Sequence, residues 1–229
     1  MVRTMNDTKN NFIPALRFNW LTRLYDPVVA LTCREKTFKS LLVSQAAISP
    51  HQHVLDIGSG TGTLAILIKR RYSNTSVIGL DADRDIIEIA NKKSYSKNIS
   101  LKFVEGMSFD MPFGSNQFDL CVSSLFFHHL TTTDKEHSFR EAYRVLKPGG
   151  EIHIADWGKP TGLLMRILFL AVQLIDGFKT TSDNVHGKLP DMIKKAGFVE
   201  VTIRKNISTP LGTIALYSAK KPRTNNANK

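Results

Sequence analysis

Apolar and polar positions along this chain follow two rhythms. Short apolar runs at 54–57, 76–81, 101–106, 118–124 and 151–156 end in or beside an acid, a glycine or a serine. Between them, at 61–71, 83–93 and 134–146, apolar residues return every third or fourth position. Short continuous runs bounded by turn residues predict strands buried on both faces, and the longer period predicts the helices that cover them. Strand and helix in alternation predict an α/β domain. Asp83 is placed to cap the second of these helices, and Pro148-Gly149-Gly150 to stop the third. A short helical stretch at 187–196, ended by Gly197, leads to two further strands at 198–207 and 212–220.

Two segments depart from this alternation. Residues 18–47 have helical spacing broken near Asp26-Pro27, which predicts an N-terminal helical lid ahead of the sheet. Residues 163–175 are apolar almost all round, with Arg166 and Gln173, one heptad apart, as the polar stripe. That run is too short to span a bilayer, which takes about 20 residues. A helix apolar on all sides has to be covered. The lid, a lipophilic pocket or membrane surface, and a dimer partner are the alternatives.

Length and composition add boundaries. The 229 residues, 42% hydrophobic and 22% charged, suit one globular domain at 13–220. It divides into a lid (13–50), a core (51–157), an apolar insert (158–186) and C-terminal strands (187–220). Residues 1–12 and the basic 221–229 are expected to be disordered tails. Cys33 and Cys121 give no disulfide framework, and the N-terminus shows no apolar signal core, so a reducing, cytoplasmic setting is expected, with peripheral contact at a membrane as an addition. The net charge of +11 admits an anionic membrane surface, an acidic partner or a nucleic acid. The lysines are scattered, which leaves a solvated surface as the plain reading and a nucleic acid as the weakest. No His, Cys or carboxylate spacing suggests a metal.

The chemistry concentrates at Val54-Leu55-Asp56-Ile57-Gly58-Ser59-Gly60-Thr61-Gly62. The spacing is G-x-G-x-G, with Thr63 where a dinucleotide-binding loop places its third glycine. A pyrophosphate wants bare amides and no nearby anion. Asp56, two residues before the first glycine, would repel it. S-adenosylmethionine carries no phosphate, but it has an ammonium and a sulfonium, and both suit Asp56. Asp81, nineteen residues past Gly62, stands where a βαβ unit puts the carboxylate that receives ribose hydroxyls.

With these motifs, Met111-Pro112-Phe113 and Arg144-Val145-Leu146-Lys147-Pro148-Gly149-Gly150, the chain resembles the class I S-adenosylmethionine-dependent methyltransferases. Within them it is similar to the small-molecule group that includes the ubiquinone and menaquinone biosynthesis enzymes. The resemblance covers roughly residues 25–222. It implies a Rossmann-like, seven-stranded, mostly parallel sheet with helices on both faces and an antiparallel last strand. It implies a methyl transfer from S-adenosyl-L-methionine to an oxygen or carbon of a small, lipophilic or aromatic acceptor. The cofactor residues it suggests are Tyr25, Asp56, Gly58, Ser59, Gly60, Thr61, Gly62, Asp81, Ala82, Gly106, Met107, Ser108 and Ser123. Met107 stands where relatives often have an acid for the adenine amino group. Phe126, Phe127, Trp157, Leu164 and Leu168 are expected to line an acceptor pocket. His128, His129 and Asp156 are the candidates for catalysis, with a structural role for the histidines as the alternative; His153 is read as a core histidine. A nucleic-acid or protein methyltransferase and a non-catalytic cofactor-binding domain are the rival functions.

Overall fold

The computed structural model describes residues 34–223. Tyr25, most of the expected lid and both expected tails lie wholly or partly outside them. In chain order the elements are α1 (Glu35–Gln45), β1 (His53–Ile57), α2 (Thr63–Arg71), β2 (Ser76–Asp81), α3 (Arg84–Tyr95), β3 (Lys102–Glu105) and β4 (Phe118–Ser124). A single 3-10 turn (Phe127–His129) precedes α4 (Thr132–Val145) and β5 (Leu146–Trp157). Then come α5 (Leu163–Asp176), α6 (Phe178–Val185), α7 (Leu189–Lys195), β6 (Val199–Thr209) and β7 (Gly212–Lys220).

The strands form one sheet in the order β3-β2-β1-β4-β5-β7-β6. β7 runs antiparallel to both of its neighbours, and the pairings from β3 through β5 are parallel. This is the mostly parallel, seven-stranded architecture the resemblance implies. The order reverses between β1 and β4, and in an open sheet such a reversal leaves a crevice at the carboxyl ends of the strands. One face of the sheet is covered by α1, α2 and the inner side of α5, through Phe38, Leu42, Leu64, Ile68 and Phe169. The other face is covered by α4 and α7, through Phe139, Val145, Leu189 and Ile193.

Local chemistry explains the boundaries. Asp83 accepts hydrogen bonds from the Asp85 and Ile86 amides at 2.9 and 3.3 Å, capping α3. Gly197 sits at φ 103°, the conformation that ends a helix. One expectation needs correction. Pro148-Gly149-Gly150 does not follow a helix end; α4 stops at Val145, and the three residues lie inside β5. There the register slips between Phe118 and Leu120, so the prolyl-glycyl stretch forms an irregularity in the strand. The insert also holds a second helix, α6, beyond the helical run at 163–175.

The two distant motifs of the resemblance meet in one clamp. The Arg144 guanidinium donates to both oxygens of Glu141 at 2.7 Å, to the Phe113 carbonyl at 2.7 Å and to the Met111 carbonyl at 3.1 Å. Glu141 accepts the Met111 amide in return at 2.8 Å. A planar fork satisfies three acceptors at once, which a single ammonium does not. Arg144→Lys is therefore expected to lower the unfolding free energy by about 1–2 kcal/mol in urea titration. Wild-type stability in that variant would show the clamp to be dispensable.

Candidate functional site

The carboxyl ends of β1, β2, β4 and β5 bring the candidate residues to one edge of the sheet. Asp56 is fully buried in β1, and neither of its carboxylate oxygens has a partner in hydrogen-bonding geometry. Burial pushes its pKa up to about 7, with the Lys39 ammonium pulling the other way. The Ser59 hydroxyl is likewise buried and unpartnered. A buried carboxylate left without a donor is costly, and a cation beside it would relieve that cost.

The glycine loop has the shape to admit one. Gly58, Gly60 and Gly62 all have positive φ, at 65°, 52° and 75°. A Cβ on Gly58 would stand 2.1 Å from the Phe126 ring, and one on Gly62 would stand 2.6 Å from the Phe103 ring. A Cβ on Gly60 would meet nothing within 4 Å. Gly58 and Gly62 are thus glycines for packing, and Gly60 borders open space. Asp81 shapes the same loop: its two oxygens accept the Gly60 amide at 2.8 Å and the Asp83 amide at 3.1 Å. Each oxygen keeps a second lone pair for a hydroxyl donor. Thr61 faces the other way, receiving the Lys93 ammonium at 3.0 Å.

Several expected contacts are committed to the protein itself. The Ser108 and Ser138 hydroxyls bond each other at 2.7 Å. The Ser123 hydroxyl donates to the Ile57 carbonyl at 2.8 Å. The Gly106 amide donates to the Asp81 carbonyl at 2.9 Å, which keeps β3 beside β2. Met107 and Ala82 are both partly exposed.

The exit of β4 is built on Asp156. Leu125 adopts φ 50°, a left-handed conformation that turns the chain sharply, and its amide is held by the Ala155 carbonyl at 2.8 Å. The turn lays Phe126 across Gly58. Asp156, fully buried at the end of β5, accepts the Phe126 and His128 amides at 3.2 and 3.4 Å and its own neighbour's amide, Trp157, at 2.7 Å. It also holds His128 Nδ1 at 2.7 Å and lies 3.5 Å from the Asn184 amide nitrogen of α6.

The adjacent histidines are driven apart electrostatically. Burial alone would depress His128, but Asp156 on one side and Asp176 on the other raise it to about 9. His128 is therefore an imidazolium near neutral pH. Burial, together with the His128 charge, lowers His129 to about 4, so His129 keeps a free lone pair. The Asp176 carboxylate, at the end of α5, stands 3.5 Å from His128 Nε2 and 3.8 Å from His129 Nδ1. The sequence showed no metal-ligand spacing, but His128, His129 and Asp176 gather with ligand atoms within 4.8 Å of one another, the one such group found among the described residues. The His128 imidazolium offsets one of the two carboxylate charges, Asp156 and Asp176, that flank it.

The expected pocket wall is only partly assembled. Phe127 is a correction: it is fully buried and stacks on Phe139 at 4.5 Å, on the α4 side of the sheet. Trp157 is also buried, against Phe169 at 5.2 Å and His128 at 6.3 Å, rather than open to stack on a ligand. Leu164 points outward at 65% exposure, and Leu168 is half-buried. His153 is a core histidine as expected, held by Gln45 at 3.2 Å and Glu151 at 3.0 Å. Asp176 and Asn184 were not visible as site residues, because their partners lie 28 to 48 positions away in the sequence.

Comparison with known proteins agrees with this geometry. Residues 54–150 match a family described as a methyltransferase domain. The chain is 27% identical over 185 residues to a demethylmenaquinone methyltransferase of Thermus thermophilus, covering 79% of this chain and 81% of that one. It is 28% identical over 207 residues to a ubiquinone/menaquinone biosynthesis C-methyltransferase of Xanthomonas axonopodis, covering 81% and 80%. A solved phosphoethanolamine N-methyltransferase of Haemonchus contortus, bound to S-adenosylhomocysteine, has the same fold, with a TM-score of 0.68 at 18% identity over 82% of this chain. The chain spans about half (53%) of that larger protein.

The loop geometry separates two substitutions. Gly60→Ala is expected to cost only about 1 kcal/mol of stability, from its backbone conformation, yet to weaken S-adenosylhomocysteine binding in calorimetry. Gly58→Ala must also displace the Phe126 ring and is expected to cost about 2–4 kcal/mol in thermal or urea unfolding. Equal effects of the two on binding and stability would contradict this assignment. The raised Asp56 carboxyl gives a second test. Below about pH 7 it is protonated in the free protein, and the ammonium group of a bound ligand prefers its anion. Affinity for S-adenosylhomocysteine should therefore fall as pH drops below 7, by up to about tenfold per unit, and Asp56→Asn should flatten that profile.

Proposed function

We propose that this chain, a class I S-adenosylmethionine-dependent methyltransferase, methylates a carbon or oxygen of a small apolar acceptor of quinol type. The single observation that carries the donor assignment is the unpartnered Asp56 carboxylate, buried near the end of β1, the strand that leads into the glycine loop. Asp56 would hold the ammonium-bearing methionyl part, Gly60 would let the backbone pass close to it, and the free lone pairs of Asp81 would receive the ribose hydroxyls. S-adenosylmethionine supplies, when bound, a methyl group on a positively charged sulfur that leaves as a neutral thioether.

The acceptor side follows from the β4 exit. The electron pair that takes the methyl group comes from the acceptor, and the acceptor sheds a proton. Of the two histidines only His129, neutral and partly open, has a lone pair to receive it, as a weak base with its pKa lowered to about 4; His128 already carries its proton. Asp156 then acts as a positioning residue, fixing the turn on which both histidines stand. The apolar character of the acceptor is supported by the quinone-directed names of the relatives and by the apolar insert that leads from β5. Such an acceptor dissolves in lipid. Peripheral contact with a membrane is a separate proposal that the methylation reading does not require; among the described residues no helix is long and apolar enough to cross one.

The experiment is direct. The purified chain is supplied with donor carrying a deuterated methyl group and a demethylated quinol in detergent, and the products are read by mass spectrometry. Label on the quinol supports the proposal; label on RNA or protein alone, with none on the quinol, replaces it with the rival. His129→Ala is expected to lower kcat by about 10²–10⁴ with S-adenosylhomocysteine affinity unchanged. Unchanged turnover in that variant would remove His129 from the proton transfer.

A further inference from the structure

Helix α5 is turned inside out relative to its sequence. Its polar residues face the protein: Gln173 is buried, takes the Arg166 guanidinium at 2.8 Å and donates to Thr181 at 3.1 Å. Phe169 and Val172 are buried beside Gln173, and a second set of the helix's apolar residues faces outward. Leu163, Ile167, Leu170 and Leu174 recur at helical spacing down one stripe, with Leu164 and Ile175 beside it and Phe178 continuing it onto α6. Exposures run from 39% at Leu170 to 77% at Leu163 and Ile175. Of the ten large apolar side chains exposed among the described residues, these seven fall within sixteen consecutive positions. The stripe from Leu163 to Leu174 is about 17 Å long at 1.5 Å per residue. A contiguous apolar face of this kind marks a surface made to be covered.

The charges around it indicate by what. Lys159 before α5 and Lys179 after it are exposed, and Lys188 beyond α6 is largely exposed. Both acids of the same stretch are turned inward: Asp176 to His128 and His129, and Asp183 to Lys135, Thr132 and Lys188. The outward field is therefore cationic around an apolar stripe, on a chain of net charge +11. A helix lying in the plane of an anionic bilayer has this pattern: apolar side chains in the acyl boundary, lysines at the headgroups.

We infer that the outer face of α5, with Phe178, docks on an anionic lipid bilayer. The inference rests on the apolar-acceptor reading only for its purpose. The inner end of α5 reaches the candidate base through Asp176, so a docked helix places that site at the lipid surface, where an apolar acceptor resides.

The test uses the full chain and vesicles that contain no acceptor. Co-sedimentation is measured with vesicles of phosphatidylcholine and with vesicles in which about a third is phosphatidylglycerol. Binding to the anionic vesicles is expected, weaker at high salt, and reduced about fivefold or more in Leu163→Gln/Ile167→Gln/Leu174→Gln. Tyr95→Gln, at an exposed aromatic on α3, is expected to bind vesicles as the parent does. Unchanged S-adenosylhomocysteine binding in the triple variant shows that it is folded. Leu174→Cys in a Cys33→Ser background, labelled with an environment-sensitive dye, should shift to the blue only when vesicles are added.

Three results overturn the inference. One is no vesicle binding. Another is a dye already shielded in buffer in a monomer, which means that the chain covers its own helix. The third is a dimer that the triple substitution dissociates, which assigns the face to a second copy. Methylation of a detergent-dispersed quinol without vesicle binding would sink this inference and leave the proposed function standing.

Discussion

The arrangement of the site depends on one buried carboxylate. Asp156 has no contact with water, yet five nitrogens surround it: two amides of the β4 exit, the Trp157 amide, His128 Nδ1 and Asn184. Burial alone would raise its pKa; the imidazolium and the amides hold it below the ordinary carboxylate range. That one ion fixes the sharp turn at Leu125, the position of Phe126 over Gly58 and the orientation of His128. It also ties β5 to α6, and hence the insert to the sheet. Removing one partner of such a group leaves an uncompensated charge, so the network holds or fails as a unit.

Asp56 gives the contrast. It is as deeply buried, on a strand of the same sheet, but neither of its oxygens has a partner in hydrogen-bonding geometry, and the Ala65 amide only tempers the effect of burial. The same residue type at the same depth is therefore committed in one case and left open in the other. A fold tolerates an unsatisfied buried acid only at a cost, and functional sites are where that cost is accepted. The difference between the two carboxylates separates scaffold from candidate binding site more sharply than their positions in the sequence do.

Much of this was legible in the residues. The alternation of periods fixed the order of strands and helices, and the acid two residues before a glycine triplet marked the donor end. These signals are local, and each lies within one βαβ unit. The insert was less legible. As sequence, residues 163–175 showed a polar pair, Arg166 and Gln173, on a helix that had to be covered, with nothing local to say which side meets the protein. The partners, Thr181 for Gln173 and each other, settle it by satisfying the polar pair on the protein side. The motif pair at 111–113 and 144–150 shows the same limit. As sequence the two are separate signatures, and only the fold reveals Arg144 and Glu141 reaching back to Met111 and Phe113.

The paired histidines show what a three-dimensional field adds to identical side chains. His128 and His129 are neighbours in sequence, and their rings lie 3.9 Å apart. From sequence they are interchangeable candidates. In the fold one faces two carboxylates and the other faces the first one's charge, so one is held protonated and the other neutral. Burial is the largest reason for His129 to stay neutral, and the charge on His128 adds to it. A site that must take up a proton beside a cationic donor needs a base kept neutral by its surroundings. Burial and the His128 charge keep His129 neutral against the pull of Asp176 and Asp156, and because Asp176 belongs to α5, the balance of charge around the pair depends on the seating of the insert.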